Sequence, residues 1–206
     1  MEMFLRRRFI LIGLLLLGLL LSGCPKKAVI IPPPEKGPYE NPMVRLLEAF
    51  SSADTVQARA SIRVNTVRSG QEMNFLLNGF VIYQKPDKLR ILGYLPVGTG
   101  VFDALYLAGE IYILSPLQKK AYTGEISQVE EGFEKAGVQV SIEKTEGRDI
   151  PTRIRIEVEK KETSVELRLK DTNINSSLPE DSFQWAVPAG VQVIPLTKLL
   201  KVKNPG

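Results

Sequence analysis

The chain has 206 residues, and its composition excludes several classes of function before any motif is considered. It contains 27 Lys and Arg against 23 Asp and Glu, a net charge of +4. Leaving out residues 1–23 gives 24 against 22, and a net charge of +2 offers no concentrated basic surface for nucleic acid. With no histidine and one cysteine, the chain lacks the commonest general base, an internal disulfide and a thiolate zinc cluster.

The first 23 residues are predicted to be a secretion signal. Arg6 to Arg8 precede an apolar run from Phe9 to Leu21, which is short for a membrane-spanning helix. The segment from Leu21 to Cys24 resembles the lipobox of bacterial lipoproteins, in which the cysteine is lipidated and becomes the mature N-terminus. We therefore predict lipidation of Cys24, which would anchor the protein to membrane lipid.

Two alternatives to this signal stay open: an ordinary signal peptide followed by an incidental cysteine, and an uncleaved anchor. The arginines also fit a loose twin-arginine pattern, but the leucine-rich run after them favours general secretion. Pro25 follows Cys24 where an aspartate typically retains Gram-negative lipoproteins in the inner membrane. The absence of aspartate favours the outer membrane, with the domain facing the periplasm.

Residues 24–42 are predicted to be a lipidated cysteine followed by an extended tether. Six of the fourteen prolines lie between Pro25 and Pro42, and such a stretch forms neither a helix nor a central strand. At about 3.1 Å per residue, its length would hold a domain up to ~55 Å from the membrane. The folded domain is expected to occupy residues 43–206.

The domain begins with a predicted helix over 43–53, after which the hydrophobic pattern changes to a period of two. Apolar and polar residues alternate over 57–65, 153–159 and 165–170, which is typical of antiparallel strands with one wet face. The short link at 160–162 predicts a hairpin.

Apolar runs predict further strands, at 75–83, 89–95, 101–107, 111–114, 183–185 and 191–194. One amphipathic helix is expected from about residue 125 to Ala136, with Gly137 as its C-terminal cap. Nine to eleven strands and two short helices predict a mainly β, α+β fold. A sheet of this size closes, curls or splits, and the chain length suits a strongly curved sheet around a helical plug.

Several segments occur in an order that carries a family resemblance. The most specific segment is Asp87-Lys88-Leu89-Arg90-Ile91-Leu92-Gly93-Tyr94-Leu95-Pro96-Val97-Gly98-Thr99. A predicted strand pair precedes it, a hairpin at 108–114 follows, and 183–191 contains a late strand with a Pro-x-Gly turn. This pattern resembles the family of the outer-membrane lipoprotein receptor LolB and, more distantly, of the periplasmic carrier LolA. The resemblance covers 55–123 well and 150–195 loosely.

The resemblance implies an open, incomplete antiparallel β-barrel whose apolar interior is plugged by helices. It implies that this cavity holds lipoprotein acyl chains, which a LolA-like carrier delivers and which pass on to the outer membrane. In the receptor, an exposed apolar residue in a Pro-Leu-Gly loop contacts the membrane. The corresponding loop here is Pro96, Val97 and Gly98, with a smaller residue at its centre.

An acyl-chain cavity needs large apolar residues on its inner face and almost no buried charge. Thirteen residues are candidates to line it: Phe75, Leu77, Val81, Leu89, Ile91, Leu105, Ile111, Ile113, Ile154, Ile156, Val158, Leu167 and Trp185. The alternative is that these side chains form an ordinary filled core. The small number of predicted helices, too few to cover the whole set, favours a cavity.

Two patterns suggest enzymatic chemistry but fit strands better. Ser141 and Lys144 match the S-x-x-K pattern of serine acylases, yet the alternation over 138–145 predicts a strand that sends them to opposite faces. Glu157 and Glu159 share a predicted strand face, but arginines lie on the same face, which favours a solvated charged surface. We predict neither catalytic nor metal-binding residues, no cofactor, and no enzymatic activity.

Two further patterns also have simpler interpretations. The segment at 98–100 lacks the third glycine and the following helix of a nucleotide-binding loop, so it is interpreted as a tight turn. Lys198, Lys201 and Lys203 form a basic tail that would suit anionic lipid headgroups, although such tails are most often solvated.

The sequence therefore supports a first hypothesis: a monomeric, lipid-anchored outer-membrane protein that binds acyl chains and acts in lipoprotein sorting or insertion. A second hypothesis is a non-catalytic envelope scaffold or assembly lipoprotein with the same fold.

Overall fold

The computed structural model describes residues 28–31 and 41–199. Cys24, the predicted signal peptide, Lys201 and Lys203 lie outside these residues. The strands are β1 (Ala28–Ile31), β2 (Thr55–Arg68), β3 (Gln71–Gln84), β4 (Lys88–Tyr94), β5 (Gly100–Leu107), β6 (Glu110–Ser115), β7 (Lys120–Glu125), β8 (Val138–Thr145), β9 (Pro151–Val158), β10 (Thr163–Ile174) and β11 (Gln192–Pro195). The helices are α1 (Pro42–Phe50) and α2 (Glu130–Ala136).

Within the described residues, the eleven strands form one sheet, in the order β1-β8-β9-β10-β2-β3-β4-β5-β6-β7-β11. Neighbouring strands are antiparallel, except that β11 runs parallel to β7. Because β1 and β11 lie at the two edges, the sheet is not closed into a barrel. The predicted mainly β fold, an open sheet accompanied by two short helices, is confirmed.

The longest strands meet at the centre of the sheet through a two-residue turn. Ser69 and Gly70 both have positive φ, 54° and 74°, which is the twist that a tight antiparallel hairpin requires. The turn fixes an unbroken register between β2 and β3, from Thr55 opposite Gln84 to Arg68 opposite Gln71.

The connections between the strands lie at two opposite ends of the sheet, the open end and the closed end. The open end carries the β2–β3 turn, the β4–β5 loop (95–99), the β6–β7 turn (116–119) and the β9–β10 turn (159–162). The closed end carries the opposite connections, including 85–87, 108–109 and 146–150. Helix α1 packs at the closed end, since Phe50 stacks on Tyr83 with ring centroids 5.5 Å apart.

Helix α1 begins at a cap and buries one face. The Asn41 side chain accepts a hydrogen bond from the Met43 amide at 2.9 Å, and Pro42 occupies the first turn, where its missing N–H costs nothing. Leu46, Ala49 and Phe50 are buried against the sheet. The helix predicted for 43–53 is therefore present and ends three residues earlier.

Helix α2 follows a short 3₁₀ turn at Ile126–Gln128 and ends, as predicted, at Gly137, whose φ is 66°. Val129 is buried with Ile111 and Leu196 in a second apolar cluster. Because Leu196 comes from the turn after β11, this cluster joins the C-terminal part of the chain to the helix.

The strand predicted for 183–185 is wrong. This segment is irregular and lies on the face of the sheet opposite α1, where the Arg90 guanidinium donates to the carbonyls of Ser182 and Gln184 at 2.9 and 3.2 Å. Side-chain donors thus satisfy carbonyls that a strand would pair with a neighbour. The strand predicted for 191–194 is confirmed as β11.

Within the predicted tether, residues 28–31 form strand β1. The run Val29, Ile30 and Ile31 is β-branched throughout, and it lies between prolines. Residues 28–31 pair with β8, with Ala28 opposite Thr145 and Ile31 opposite Ile142. The remaining residues between 24 and 41 lie outside the described part of the chain, and the domain boundaries stay predictions.

Candidate functional site

The strand register divides the predicted lining residues between two faces. The inner face is the one on which α1 packs, and the outer face is its opposite. On the inner face, Ile62 lies opposite Leu77 and Leu167, and Ile91 lies opposite Val81. Since side chains alternate along a strand, the register places eleven of the thirteen predicted residues on the inner face: Phe75, Leu77, Val81, Leu89, Ile91, Ile111, Ile113, Ile154, Ile156, Val158 and Leu167.

Leu105 and Trp185 do not lie with this group. Leu105 pairs with Arg90 and Tyr112, which point to the outer face. The Trp185 ring also packs on Tyr112, with centroids 5.4 Å apart. The run 101–107 is apolar on both faces because the C-terminal segment covers the outer face. A continuous apolar run does not indicate which of its side chains face a cavity.

Within single strands of the inner face, burial of the predicted lining residues decreases toward the open end. Leu77, Val81 and Leu89 are almost fully buried, as are Ile111, Ile154 and Leu167. Further along the same strands, Ile91, Ile113, Ile156 and Val158 are only half-buried, and Phe75 is 44% exposed. The buried members therefore pack in the core of the domain, whereas the half-buried members and Phe75 form accessible apolar surface.

Several further inner-face residues enlarge this open-end surface. Val64, Leu95, Phe102 and Val165 pack against the main core but stay half-buried. The inner-face positions of β4, β5 and β6 carry no charged side chain: Leu89, Ile91, Gly93, Phe102, Ala104, Tyr106, Ile111 and Ile113. Sequence patterns missed the four added residues because a half-buried strand residue alternates in the same way as a core residue.

The β4–β5 loop places Val97 at its tip. The Leu95 amide donates to the Thr99 carbonyl and the Gly98 amide to the Leu95 carbonyl, both at 2.8 Å. Gly98 has a φ of 90°, a conformation that side chains disfavour, so the loop is a tight turn. Val97 is 83% exposed, the largest fraction among the exposed large apolar residues.

Other exposed apolar residues lie at the same end. Leu76 on β3 is 60% exposed and Leu117 in the β6–β7 turn is 61% exposed. A Cβ built on Gly100 would lie 3.8 Å from Pro116, so the β4–β5 loop and the β6–β7 turn are neighbours. We call Phe75, Leu76, Val97 and Leu117 the rim. Leu117 was missed because a lone leucine beside proline in a turn has no periodic pattern.

The only charged residues in the chain segments next to Val97 and Leu117 are basic. Residues 91–102 contain no charged side chain, and residues 111–124 contain Lys119 and Lys120 but no acidic residue. Lys119 is exposed in the β6–β7 turn. Apolar tips beside lysines are typical of surfaces that meet anionic lipid headgroups.

The outer face of β8, β9 and β10 carries a network of ion pairs. Arg153 contacts Glu143 at 2.6 Å, and Arg168 contacts Glu166 at 2.6 Å. Burial alone would raise the pKa of Glu166, but the hydrogen bond from Arg168 and the charges of Arg168, Arg153 and Arg63 hold this pKa below its usual value. The face combines both signs of charge in close pairs.

The two sequence patterns that suggested enzymatic chemistry do not form a catalytic site in the structure. Glu157 pairs with Arg155 at 2.8 Å, in keeping with a solvated charged surface. Ser141 lies opposite Arg155 in the register of β8 and β9. Lys144, three residues further along β8, falls on the opposite side of the strand, so the S-x-x-K pair is not assembled.

Among residues 28–31 and 41–199, no cluster of acidic side chains offers a set of metal ligands. In the same residues, none of the helices is both long and apolar enough to cross a membrane. Lys198 is exposed in the 3₁₀ turn Leu196–Lys198, and the other two lysines of the predicted tail are outside the described chain.

Comparison with known proteins gives structural neighbours only. No protein-family model matches the chain, and no curated protein matches it. An uncharacterized conserved protein from Thermus thermophilus is similar at 12% identity and a TM-score of 0.43, over 74% of this chain and 96% of the other. A LolA superfamily protein from Nitrosomonas europaea is similar at 13% identity and a TM-score of 0.40, over 69% and 97%.

A third neighbour, from Vibrio parahaemolyticus, is a domain named for outer membrane lipoprotein sorting. It is 10% identical at a TM-score of 0.34, over 62% of this chain and 88% of the other. Similarities this low leave the function to be argued from the residues of this chain.

Proposed function

We propose that the chain is a lipid-anchored, non-catalytic protein of the outer membrane, facing the periplasm, that binds acyl chains during lipoprotein sorting or insertion. The observation that carries the proposal is the apolar inner face, which is closed by α1 at one end and open at the other. At the open end, it continues through Phe75 into the rim. The anchor is the predicted lipid on Cys24.

An acyl chain suits this surface on chemical grounds. A methylene group gains about 0.8 kcal/mol when it leaves water, so six methylenes against the inner face would contribute about 5 kcal/mol. A charged side chain there would have to be desolvated, and the inner-face positions of β4 to β6 carry none. Specific polar contacts are not required for a ligand of this kind.

The position of α1 indicates how a chain would enter. Phe50 and Leu46 are buried at the closed end, so a chain would enter from the open end, where Phe75 and Val97 are exposed. A short acyl segment would rest on half-buried residues such as Ile156 and Val165. A longer one would have to displace α1, whose amphipathic face already covers the same strands. Delivery by a LolA-like carrier would then occur at the rim.

Substitution on β9 tests the acyl-chain site. Ile156→Trp should fill the half-buried inner face and reduce binding of a fluorescent fatty-acid probe about tenfold or more, a change of ~1.4 kcal/mol. Arg155→Trp, on the outer face of the same strand, is the matched control and should bind the probe as the parent does. Native mass spectrometry of the parent protein should find co-purifying lipid. Equal probe binding by both variants would contradict this site.

The scaffold hypothesis has one observation in its favour: six of the predicted lining residues on the inner face are fully packed core. A protein with a filled interior would support an assembly without carrying lipid. Depletion followed by fractionation of envelope lipoproteins separates the two functions. Mislocalised lipoproteins support the acyl-chain carrier, whereas normal sorting together with a stable crosslinked protein partner supports the scaffold.

A further inference from the structure

Strand β10 extends past the strand beside it and leaves a gap in the sheet at the closed end. Strand β9 pairs with β10 only from Thr163 to Arg168, whereas β10 continues to Ile174. Among the described residues, no strand pairs with residues 169–174 on the β9 side. This stretch spans about 20 Å at the usual rise of a strand, so a considerable length of backbone has no neighbouring strand there.

The start of β9 turns toward β8 and away from β10. Pro151, the first residue of β9, has no N–H to donate to a neighbouring strand, and it lies opposite Lys144 of β8 after a shift in register. The Thr152 hydroxyl donates to the Glu143 carbonyl of β8 at 3.1 Å. These contacts hold the first residues of β9 to β8, so the gap beside β10 is part of the fold.

A cavity of about 630 Å³ lies in this gap. Its walls come from three parts of the chain: the β8–β9 connection, the segment after α1 and the far part of β10. The apolar lining residues are Ala53, Ile150, Leu169 and Ile174. Ala53 and Ile150 are almost fully buried, whereas Ile174 is 50% exposed. The volume lies within the ~300–1,000 Å³ that is typical of ligand sites.

The hydrogen-bond ladder determines which backbone groups of β10 face the cavity. The Asn175 amide donates to the Thr55 carbonyl of β2 at 2.8 Å. Alternate residues of β2, starting at Thr55, therefore face β10, and the residues between them face β3. Leu169 and Ile174 lie opposite β2 residues that face β3. The N–H and C=O groups of Leu169 and Ile174 therefore point away from β2, into the gap.

The outer side of the gap carries an excess of positive charge. Lys170 is exposed on the outer face of β10, beside Arg59 and Arg168. Arg59 is paired with Asp171, and Arg168 is paired with Glu166 at 2.6 Å. Ion pairs thus neutralise both arginines, and Lys170 adds a positive charge that an acidic side chain would complement.

We propose that the gap docks an extended segment of another protein, which pairs antiparallel with β10 in line with β9. Another extended backbone is the ligand that matches N–H and C=O groups spaced along a strand. Alternate side chains of the segment are apolar, where they face Ala53 and Ile150, and acidic, where they lie beside Lys170. The cavity has walls on three sides, so it admits one segment and not the sheet edge of a second copy. The site does not depend on the proposed function, since the acyl-chain surface lies toward the open end.

Hydrogen–deuterium exchange of the full-length chain, measured at single-residue resolution, tests this pairing. The probe is an acetylated and amidated hexapeptide of alternating valine and glutamate. At about 1 mM it should slow exchange of the Leu169 and Ile174 amides ~10-fold or more. The amides of Lys170 and Asn173, which face β2, should change little. An unchanged rate at Leu169 and Ile174 would overturn the proposal. Slow exchange of both amides before the peptide is added would also overturn it, because the gap would already be filled.

Methylation of the peptide backbone provides a matched control. The valines of the docked probe lie on the inner side, where their N–H groups face β10, whereas the N–H groups of the glutamates face away from it. N-methylation of the valines should therefore abolish the slowing, and N-methylation of the glutamates should retain most of it. Equal effects of the two methylated peptides would show that binding does not add a strand to β10.

Substitution of Ile174 gives a second test that leaves the backbone groups of β10 in place. Ile174→Glu puts a carboxylate into the apolar wall and should weaken binding of the valine–glutamate peptide about tenfold. Val44→Glu, at a side chain on α1 that is 46% exposed, is the control and should bind the peptide as the parent does. Fluorescence anisotropy of the labelled peptide measures both affinities. Similar affinities of the two variants would contradict docking beside Ile174.

Discussion

Asp103 holds an irregular segment of chain against the outer face. Its two carboxylate oxygens accept from Arg90 at 3.0 and 2.7 Å, and the same guanidinium donates to the carbonyls of Ser182 and Gln184. The side chains of this pair are only 17% and 16% exposed. Beside them Trp185 packs on Tyr112, and Lys88 lies over the ring of Phe183, 5.6 Å from its centroid. The Arg90–Asp103 ion pair thus holds in place a segment that covers part of the outer surface of β4 to β6.

Asp103→Asn should therefore destabilise the protein, by about 3 kcal/mol, because it leaves a partly buried guanidinium without its counter-charge. Asp171→Asn is the matched control: Asp171 pairs with Arg59, and both side chains are at least 60% exposed, so the loss should stay within about 1 kcal/mol. The free energy of unfolding in urea measures both. Similar losses would mean that the Arg90 pair contributes no more than a surface contact.

Glu166 makes stability depend on pH. Its pKa is held below the usual value of 4.5 in the folded protein, against the effect of burial, by Arg168, Arg153 and Arg63. The folded state therefore binds this proton less tightly than the unfolded state. The resulting stabilisation is fully present above pH 4.5 and is lost as the pH falls through the lowered value.

We expect Glu166→Gln to lower the unfolding free energy at pH 7 and to flatten its decline below pH 4.5. Glu180→Gln, at an exposed position in the C-terminal segment, is the control and should leave the curve unchanged. Urea unfolding from pH 7 to pH 3 gives the comparison. A parallel decline in the parent and in Glu166→Gln would show that other groups govern acid stability.

The β4–β5 loop carries Val97, the most exposed of the four apolar residues of the rim. Its two backbone hydrogen bonds fix the turn whatever side chain occupies Val97, so this position can change without loss of fold. Leu95, at the base of the loop, is half-buried in the inner-face core and holds the loop to the sheet. The loop therefore combines a rigid base with an apolar tip.

Val97→Glu should abolish membrane-dependent function and weaken binding to anionic vesicles, because a carboxylate at the tip would have to enter the headgroup region beside acyl chains. The stability should be unchanged. Thr99→Glu carries the same charge two residues away in the same loop and should retain most of the binding. Vesicle co-sedimentation and a complementation assay measure the two effects. Full activity of Val97→Glu would leave Val97 as a turn residue only.

Sequence patterns predicted most strands, both helices and the open sheet, since those features depend on local alternation and caps such as Gly137. They also predicted the exposed turn at Val97, because Pro and Gly beside it fix the backbone. The face to which Leu105 points and the irregular path of 183–185 were not predictable. Both depend on contacts between residues far apart in the sequence, such as the hydrogen bonds of Arg90 with carbonyls 92 and 94 positions away.

For the whole molecule, the decisive property is that the inner face of the sheet is covered at the closed end and accessible to solvent at the open end. Helix α1, at the start of the domain, closes one end of the inner face, and the second cluster of Ile111, Val129 and Leu196 packs beside it. Residues toward the open end keep apolar surface in contact with solvent. No pattern in the sequence marks this difference, because the same alternation runs the full length of each strand. The difference between the two ends arises because α1 packs at the closed end of the sheet.

The central position of β2 has a consequence for the order in which the chain folds. One neighbour, β3, follows immediately, but the other, β10, comes much later, and the contact between Thr66 and Thr163 spans 97 positions. A chain that emerges N-terminus first during synthesis would form the β2–β7 meander early, with one long side of β2 unpaired. That edge stays open to other chains until β10 emerges, so association through the edge should be most frequent during this interval.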